Sequence, residues 1–318
     1  MKNGKKLFGT CIIPVIVFAA CVAIGAAKGV NLFDSSLSWT TFVRAITNVS
    51  LVTFALSINL NSGRFDFSIG SIALLSSILS AQLTLKLGLS PLVMLLLSAF
   101  IGAVLGCCSG LVYVGTKLPP IIVSLAVALF YEGLSFTLTG GHGVSFANNA
   151  SILAFGSIRN YLIIVVLATL AMIVIFDHTR FGYEYKALLS NQKVAVNTGI
   201  HEVSNALICY TIAGLLMGVQ GFVSATNNGS ITMSLNFGSI SPMFMAFLPM
   251  FIGGFIGRYS NDKLGYLLGA FCSAMISLVY VRLNVASSTQ QIISACLMVA
   301  FLIYLNNEGT IKKLFTKR

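Results

Sequence analysis

Polar side chains inside long apolar stretches are the residues of this sequence that could do chemistry. Glu132 lies well inside one apolar run, and Asn59 and Gln220 lie in or near two others. If these runs cross a membrane, an unpaired carboxylate is costly, so Glu132 must face protein or water, or be protonated. All three can line a path for a polar solute, although hydrogen bonding between helices explains Asn59 and Gln220 equally well. Proton coupling through Glu132 would need a second acidic residue deep in another run, and we find none.

A second polar group lies in residues 61–71, between two apolar runs. It contains Gly63, Asp66, Ser68 and Gly70, with Arg64 beside them. Oxygen atoms of Asp and Ser side chains accept hydrogen bonds from the free backbone N–H groups at a helix start. We therefore expect Asp66 and Ser68 to cap the helix that begins here. Contact with a solute, or a part in gating, is the alternative.

The stretch 186–200 is amphipathic at helical spacing. Leu188 and Ala195, with the nearby Leu189 and Val196, fall on one face, and Lys186, Gln192 and Lys193 fall on the other. The glycine near its end fits a helix stop. A short helix of this kind, around residues 187–197, suits docking to a soluble partner, and the alternative is a helix lying on a lipid surface. The candidate docking residues are Ala187, Leu188, Asn191, Ala195, Gly199 and Ile200.

Enzymatic chemistry has no recognisable basis in the sequence. The phosphate-binding pattern GxxxxGK[ST] is missing, so this chain has no such loop for ATP. His142, His178 and His201 are scattered, and the seven cysteines fall in apolar runs without metal-ligand spacing. We therefore expect no catalytic residue, no metal and no cofactor on this chain.

The apolar runs that carry these residues set the fold class. Of the 318 residues, 57% are hydrophobic and 8% are charged, whereas soluble domains are about a quarter charged. Each run suits the roughly 20-residue helix that a bilayer core requires, and none alternates as a membrane β-barrel does. We predict an all-α polytopic bundle of about ten spans, forming a single membrane domain over residues 1–318. The predicted spans are 11–27, 40–60, 67–85, 91–114, 121–138, 161–176, 204–225, 239–256, 264–281 and 292–305.

Lysine and arginine predict the orientation. With the N-terminus in the cytoplasm and alternating spans, 14 of the 19 basic residues fall inside and the other five outside, as the positive-inside rule requires. Both termini are then cytoplasmic, with an outer loop at about 139–160 and a cytoplasmic loop at about 177–203. The net charge of +11 comes from short loops, which indicates anionic lipid as the neighbour and not nucleic acid.

Glycines at four-residue spacing predict close helix packing. Gly102, Gly106 and Gly110 lie in one span, and Gly214 and Gly218 lie in another. This spacing puts the glycines on one helix face, where two backbones can approach closely. A pore-lining role is the alternative.

Taken together, these stretches resemble the permease family of bacterial ribose- and galactose-type ABC importers. Residues 62–71 are similar to the family's Gly-Gly-Ile-Asp-Leu-Ser-Val-Gly-Ser segment, and residues 187–200 resemble its Ala-x-Gly-x-Asn-x-x-Ala-Ala-x-x-x-Gly-Ile pattern. Gly253 and Gly254 resemble the family's Leu-Gly-Gly segment and are expected to serve packing. Departures from the second pattern, such as Leu189, suggest a divergent member.

The resemblance implies a permease subunit in the cytoplasmic membrane of a bacterium, paired with a second copy or a related permease. ABC ATPase subunits, which would hold ATP and Mg²⁺, would dock on the cytoplasmic loop, and an extracytoplasmic solute-binding protein would deliver the solute. A small polar solute such as a sugar is implied, and branched-chain amino acids or nucleosides are the alternative solutes. A secondary transporter is a further alternative, although it would usually show broken midplane helices and paired intramembrane carboxylates.

Overall fold

The computed structural model describes residues 2–316, with the side chains of residues 6 and 8–307. Within that part, ten helices are long and apolar enough to cross a membrane, so the predicted all-α bundle of about ten spans is confirmed. The helices are α1 (Lys2–Ala27), α2 (Ser36–Asn61), α3 (Ser68–Leu87), α4 (Pro91–Thr116), α5 (Pro120–Thr139), α6 (Ala150–Ala154), α7 (Ile158–His178), α8 (Arg180–Ser190), α9 (Gln192–Asn197), α10 (Glu202–Asn228), α11 (Ser241–Gly257), α12 (Asp262–Arg282) and α13 (Ser287–Thr316). Six basic residues that support the predicted orientation lie outside the described side chains: Lys2, Lys5, Lys312, Lys313, Lys317 and Arg318.

The short elements lie in three loops of the bundle. Strands β1 (Val144–Ser145) and β2 (Ser230–Ile231) pair antiparallel, and α6 follows β1. Helices α8 and α9 occupy the loop between α7 and α10. We call the end of the bundle with the strand pair the outer end and the end with α8 and α9 the inner end, in keeping with the predicted orientation.

Local sequence signals set where several helices begin and end. Ser90 caps α4, because its Oγ accepts a hydrogen bond from the Val93 N–H at 3.4 Å, and Pro91 takes the first helical position. Helix α3 ends at Gly88, whose φ of +63° is left-handed backbone that glycine adopts without a steric cost. These signals explain why the predicted spans lie close to the observed helices.

The buried core lies mainly among α2, α3, α10, α11 and α12. Leu51, Phe54, Leu75 and Phe222 are almost completely buried there. In contrast, α4 and α7 expose large apolar side chains, and α13 has no buried side chain among its described residues. Apolar surface of this extent requires lipid or another membrane protein as its neighbour.

The glycine rows of α4 and α10 meet face to face. A Cβ atom added at Gly102, Gly106, Gly214 or Gly218 would collide with backbone atoms of the facing helix. The same approach lets Ser98 Oγ donate to the Gly218 carbonyl oxygen at 2.7 Å. At Gly110 an added Cβ would lie 3.0 Å from the Cβ of Tyr210. All five glycines therefore lie at the close helix contact that their spacing predicts.

Helices α11 and α12 make a second close contact at Gly253. A Cβ atom there would lie 2.6 Å from Tyr266 Cα and 2.7 Å from the Gly265 carbonyl oxygen. The packing role predicted for Gly254 does not fit the structure, because a Cβ there would lie 3.8 Å from Tyr266 Cε1, an ordinary contact. Consecutive helix positions point about 100° apart, so only one of the two glycines faces α12.

Candidate functional site

Glu132 of α5 holds the connection between α10 and α11. Its side chain is 1% exposed. Oε2 accepts from the Phe237 N–H at 3.0 Å, and Oε1 accepts from the Ser239 N–H at 2.9 Å and from Ser239 Oγ at 2.5 Å. Glu132 therefore faces protein. Its carboxylate anchors backbone N–H groups that precede α11.

The anchored connection has an unusual backbone. Asn236 and Phe237 have φ values of +55° and +64°, which are uncommon for residues other than glycine. Strained conformations of this kind persist where the surroundings hold them, and Glu132 holds the residues that follow. On the opposite side, a Cβ atom at Gly70 would collide with the Ser239 carbonyl oxygen. Gly70 and Glu132, predicted for different roles, therefore meet on two sides of Ser239.

Asp66 closes the turn between α2 and α3. Its Oδ1 accepts from the Ser68 N–H at 2.9 Å and from Ser68 Oγ at 2.6 Å, and its Oδ2 accepts from Asn59 Nδ2 at 3.1 Å. Burial raises the pKa of Asp66 above its ordinary value, although these donors oppose the rise. Gly63, with a φ of +72°, turns the chain after α2.

This geometry corrects two expectations for the same turn. Ser68 does not cap α3 with its own oxygen, because its hydroxyl donates to Asp66, which accepts the backbone N–H instead. Asn59 is 1% exposed and donates to Asp66, so it braces the turn and does not line a path. The sequence does not distinguish a cap by Asp66 from a cap by Ser68, because both residues are present at the helix start in either case.

A polar groove of about 180 Å³ lies between α3, α10 and the anchored connection. Gln220 lines it and donates through Nε2 to Asn48 Oδ1 at 2.8 Å. Hydroxyl and amide groups suit hydrogen bonding to an uncharged polar solute. The polar residues that line the groove are Ser77, Gln220, Ser224, Asn228, Ser230, Thr232, Ser234 and Ser239.

The amphipathic stretch of the inner loop forms two helices and not the one that we predicted. Asn191 separates them with extended backbone, at φ −159° and ψ 100°, and its Oδ1 accepts from the Val194 N–H at 3.2 Å to cap α9. After α9, Gly199 has a φ of +92°, and the N–H of Ile200 reaches the Ala195 carbonyl oxygen at 3.2 Å. Gly199 thus sits where a glycine helix stop belongs.

Burial changes which residues of this stretch can meet a partner. Leu188 and Ala195, to which we assigned partner contact, are buried in this chain. Leu189 and Val196, predicted on the same face, are exposed, and so is Val194, by 57%. A single helical projection across the break at Asn191 therefore puts buried and exposed residues on one face. We call Leu189, Val194 and Val196 the inner apolar face.

Helix α8 is tied to the inner ends of three spanning helices. Tyr185 donates to the Ile58 carbonyl oxygen of α2 at 2.8 Å, and burial raises the pKa of Tyr185, which keeps this donor protonated. Lys186 pairs with Asp177 of α7 at 2.6 Å, and Asn261 beside α12 donates to the same carboxylate at 2.6 Å. Lys186 therefore forms an ion pair within this chain.

Several residues that build this arrangement were not predicted from the sequence. Phe237 and Ser239 contribute backbone N–H groups, which carry no side-chain signal. Tyr185 and Asn261 are ordinary polar residues whose partners are distant in sequence, so only the fold pairs them. Among the described residues, no group of three or more His, Cys, Asp and Glu side chains could hold a metal ion.

Comparison with known proteins places the chain in a family. The family model described as "Branched-chain amino acid transport system / permease component" matches residues 40–303. The fructose import permease protein of Rhizobium meliloti is 24% identical over 84% of this chain and 77% of its own length. The ribose import permease protein of Bacillus subtilis is 30% identical over 60% of this chain and 61% of its own.

A third relative, the autoinducer 2 import system permease protein of Yersinia pseudotuberculosis, is 23% identical over 96% of this chain and 85% of its own length. No solved structure matches this chain significantly. The resemblance seen in the sequence is thus confirmed, and with ten apolar helices in the part that the structure describes, the chain is a multi-pass protein of the cytoplasmic membrane. The chain belongs to the family of permease components of branched-chain amino acid-type transport systems.

Proposed function

We propose that this chain is the membrane-spanning subunit of an ABC importer that moves a small polar solute, above all a sugar, into the cell. The polar groove beside Glu132 carries this proposal, because its hydroxyl and amide lining matches the hydrogen-bonding groups of a sugar. The names of the fructose and ribose import permeases support the same solute class. We prefer a sugar to a branched-chain amino acid because the lining offers no charged side chain for a carboxylate or an ammonium group.

The energy would come from partner subunits. Two ATPase subunits that bind ATP with Mg²⁺ would dock on the inner apolar face, and a second permease, identical or related, would complete the pathway. An extracytoplasmic binding protein would present the solute at the outer end. The exposed apolar side chains of the α8–α9 segment support such a docking surface.

Movement of α8 would couple the two ends of the bundle. Because Tyr185 and Lys186 tie α8 to α2 and α7, a force on α8 acts on α2, which packs against the groove helix α10. Such coupling needs a bundle with two discrete arrangements, which the ATPases would bias. The connection held by Glu132 lines the groove and is the element whose displacement would open it.

Uptake in proteoliposomes tests the proposal. With the ATPase subunits inside and the binding protein outside, labelled sugar should accumulate only when ATP is supplied inside. The chain alone should show no accumulation under a proton or sodium gradient. Gradient-driven accumulation by the chain alone would instead establish the secondary transporter.

A further inference from the structure

A polar cavity at the inner end is separate from the outer groove. It has a volume of about 260 Å³ and lies between the end of α2, the junction of α8 and α9, and the start of α10. Arg64 and Asn205 form part of one wall, and Ser190 and Gln192 of the α8–α9 junction form part of another. The function proposed above makes no use of this cavity.

Two residues that line the cavity carry buried donor atoms without acceptors among the described residues. Arg64 is 5% exposed and Asn205 is 2% exposed. Among the described residues, Arg64 Nη1 and Asn205 Nδ2 have no hydrogen-bond partner. Buried polar atoms are nearly always paired, and a charged donor is the most costly kind to leave unpaired. Both atoms belong to residues that line one space, so one acceptor group held there could serve both once the two side chains turn towards it.

The helix that starts at the cavity, α10, also favours a negatively charged hydrogen-bond acceptor in the cavity. Helix α10 has 27 residues, and His201 at its N-cap makes no side-chain cap hydrogen bond. The start of a long helix favours negative charge through its free N–H groups and its dipole. Glu202, half-buried in the first turn, lines the cavity too and carries the opposing charge.

We propose that this cavity binds an oxyanion, a carboxylate or a phosphate group, through Arg64 Nη1 and Asn205 Nδ2. Such groups present paired oxygens to a guanidinium and to an amide, and charge-assisted hydrogen bonds of this kind are the strong ones. An oxyanion bound here fixes the α8–α9 junction against α10. It arrives as a free small anion or as an acidic side chain of the ATPase; the second source rests on the proposed function.

The first arm of the test uses the purified full chain in nanodiscs with inorganic phosphate. Phosphate should raise the thermal midpoint of the wild-type chain relative to chloride at equal ionic strength. Arg64→Gln should weaken apparent phosphate binding about tenfold or more, since a hydrogen bond to a charged group is lost. Glu202→Gln should strengthen it, because the opposing charge is removed. Arg159→Gln, an exposed arginine at the outer end, should leave the phosphate response unchanged.

The Asn205→Asp variant separates loss of the binding site from loss of the fold. The substitution keeps the shape of the side chain and places a carboxylate inside the cavity, so the phosphate response should disappear while the chain remains folded without phosphate. A folded Asn205→Asp variant that still responds to phosphate would overturn the assignment of the site.

The second arm identifies an ATPase carboxylate as the source. In that case phosphate does not change the thermal midpoint of the isolated chain. Arg64→Gln then lowers retention of the ATPase subunits about tenfold, while Arg159→Gln does not. If wild-type chain retains no ATPase, the proposed function fails and the phosphate arm alone decides the site. The proposal would be overturned if phosphate left the thermal midpoint unchanged and Arg64→Gln also left ATPase retention unchanged.

Discussion

At the scale of single residues, Glu132 acts as a helix cap supplied by another element. The residue before α11, Ile240, makes no side-chain cap hydrogen bond, and the donors just before it meet Glu132 of α5 instead. A carboxylate with three hydrogen bonds to one segment is a positional device, because both of its oxygens are already engaged. We therefore regard Glu132 as a positioning residue for the groove.

Glu132→Gln should loosen the anchored connection. The glutamine amide would present a donor where one oxygen now accepts a backbone N–H, so a buried N–H loses its acceptor at a cost of about 1–3 kcal/mol. We expect a lower thermal midpoint and faster labelling of a cysteine placed at Ser234. Glu184→Gln is the matched control, because the Arg180–Glu184 pair lies at the surface and contributes about 0–1 kcal/mol.

A proton-coupling role makes the opposite forecast for Glu132→Gln. The variant would keep its thermal midpoint and its labelling rate and would lose only a dependence of uptake on the proton gradient. That combination of results would show that Glu132 is not an anchor.

At the scale of elements, adjacent glycines in α11 offer a matched pair. Gly253→Ala should destabilise the bundle, because the new Cβ meets the backbone of α12 at 2.6 Å and must push the helices apart, at about 1–3 kcal/mol. Gly254→Ala meets only Tyr266 Cε1 at 3.8 Å and should be neutral or stabilising by up to about 1 kcal/mol. Thermal midpoints of the two variants in one detergent measure the difference, and equal midpoints would refute the contact.

The α8–α9 segment is the second element with a clear test. Val194→Asp should release the ATPase subunits without lowering the thermal midpoint, because Val194 is exposed and its charge would meet only the partner. Lys193→Ala should have little effect on retention, since rim charges alter association more than final affinity.

The alternative surface-helix interpretation reverses this order, because attraction to anionic lipid depends on the lysine. A substitution at Ala195 does not discriminate between the two interpretations. Its side chain is buried in this chain, so a bulky charged substitution would disturb α9 itself before it reached any partner.

At the scale of the whole molecule, the orientation is open to direct measurement. We expect a reporter fused after residue 318 to be active only in the cytoplasm, because 14 of the 19 basic residues then lie inside. In a cysteine-free background, a membrane-impermeant maleimide applied to intact cells should label a cysteine at His142 and not one at Val196. Labelling at Val196 from outside would invert the molecule and remove the docking surface.

Composition and spacing determine much of this protein without any tertiary contact. Apolar runs of about 20 residues fix the number of spans, because a helix is how a single segment satisfies its backbone in lipid. The glycines at four-residue spacing in α4 and α10 define one helix face by local geometry alone, because positions four apart lie one above the other. The helix stop at Gly199 is likewise predictable from the local sequence.

What only the tertiary structure decides is which polar groups face one another. Glu132 meets Phe237 and Ser239 across more than a hundred residues, and Tyr185 meets Ile58 across 127. Side-chain type announces that a buried polar group needs a partner but does not say which one, because backbone donors and acceptors occur at almost every position. Burial in the α8–α9 segment is likewise a tertiary outcome, because Leu188 and Ala195 are buried in the folded chain although helical periodicity alone had placed them towards a partner.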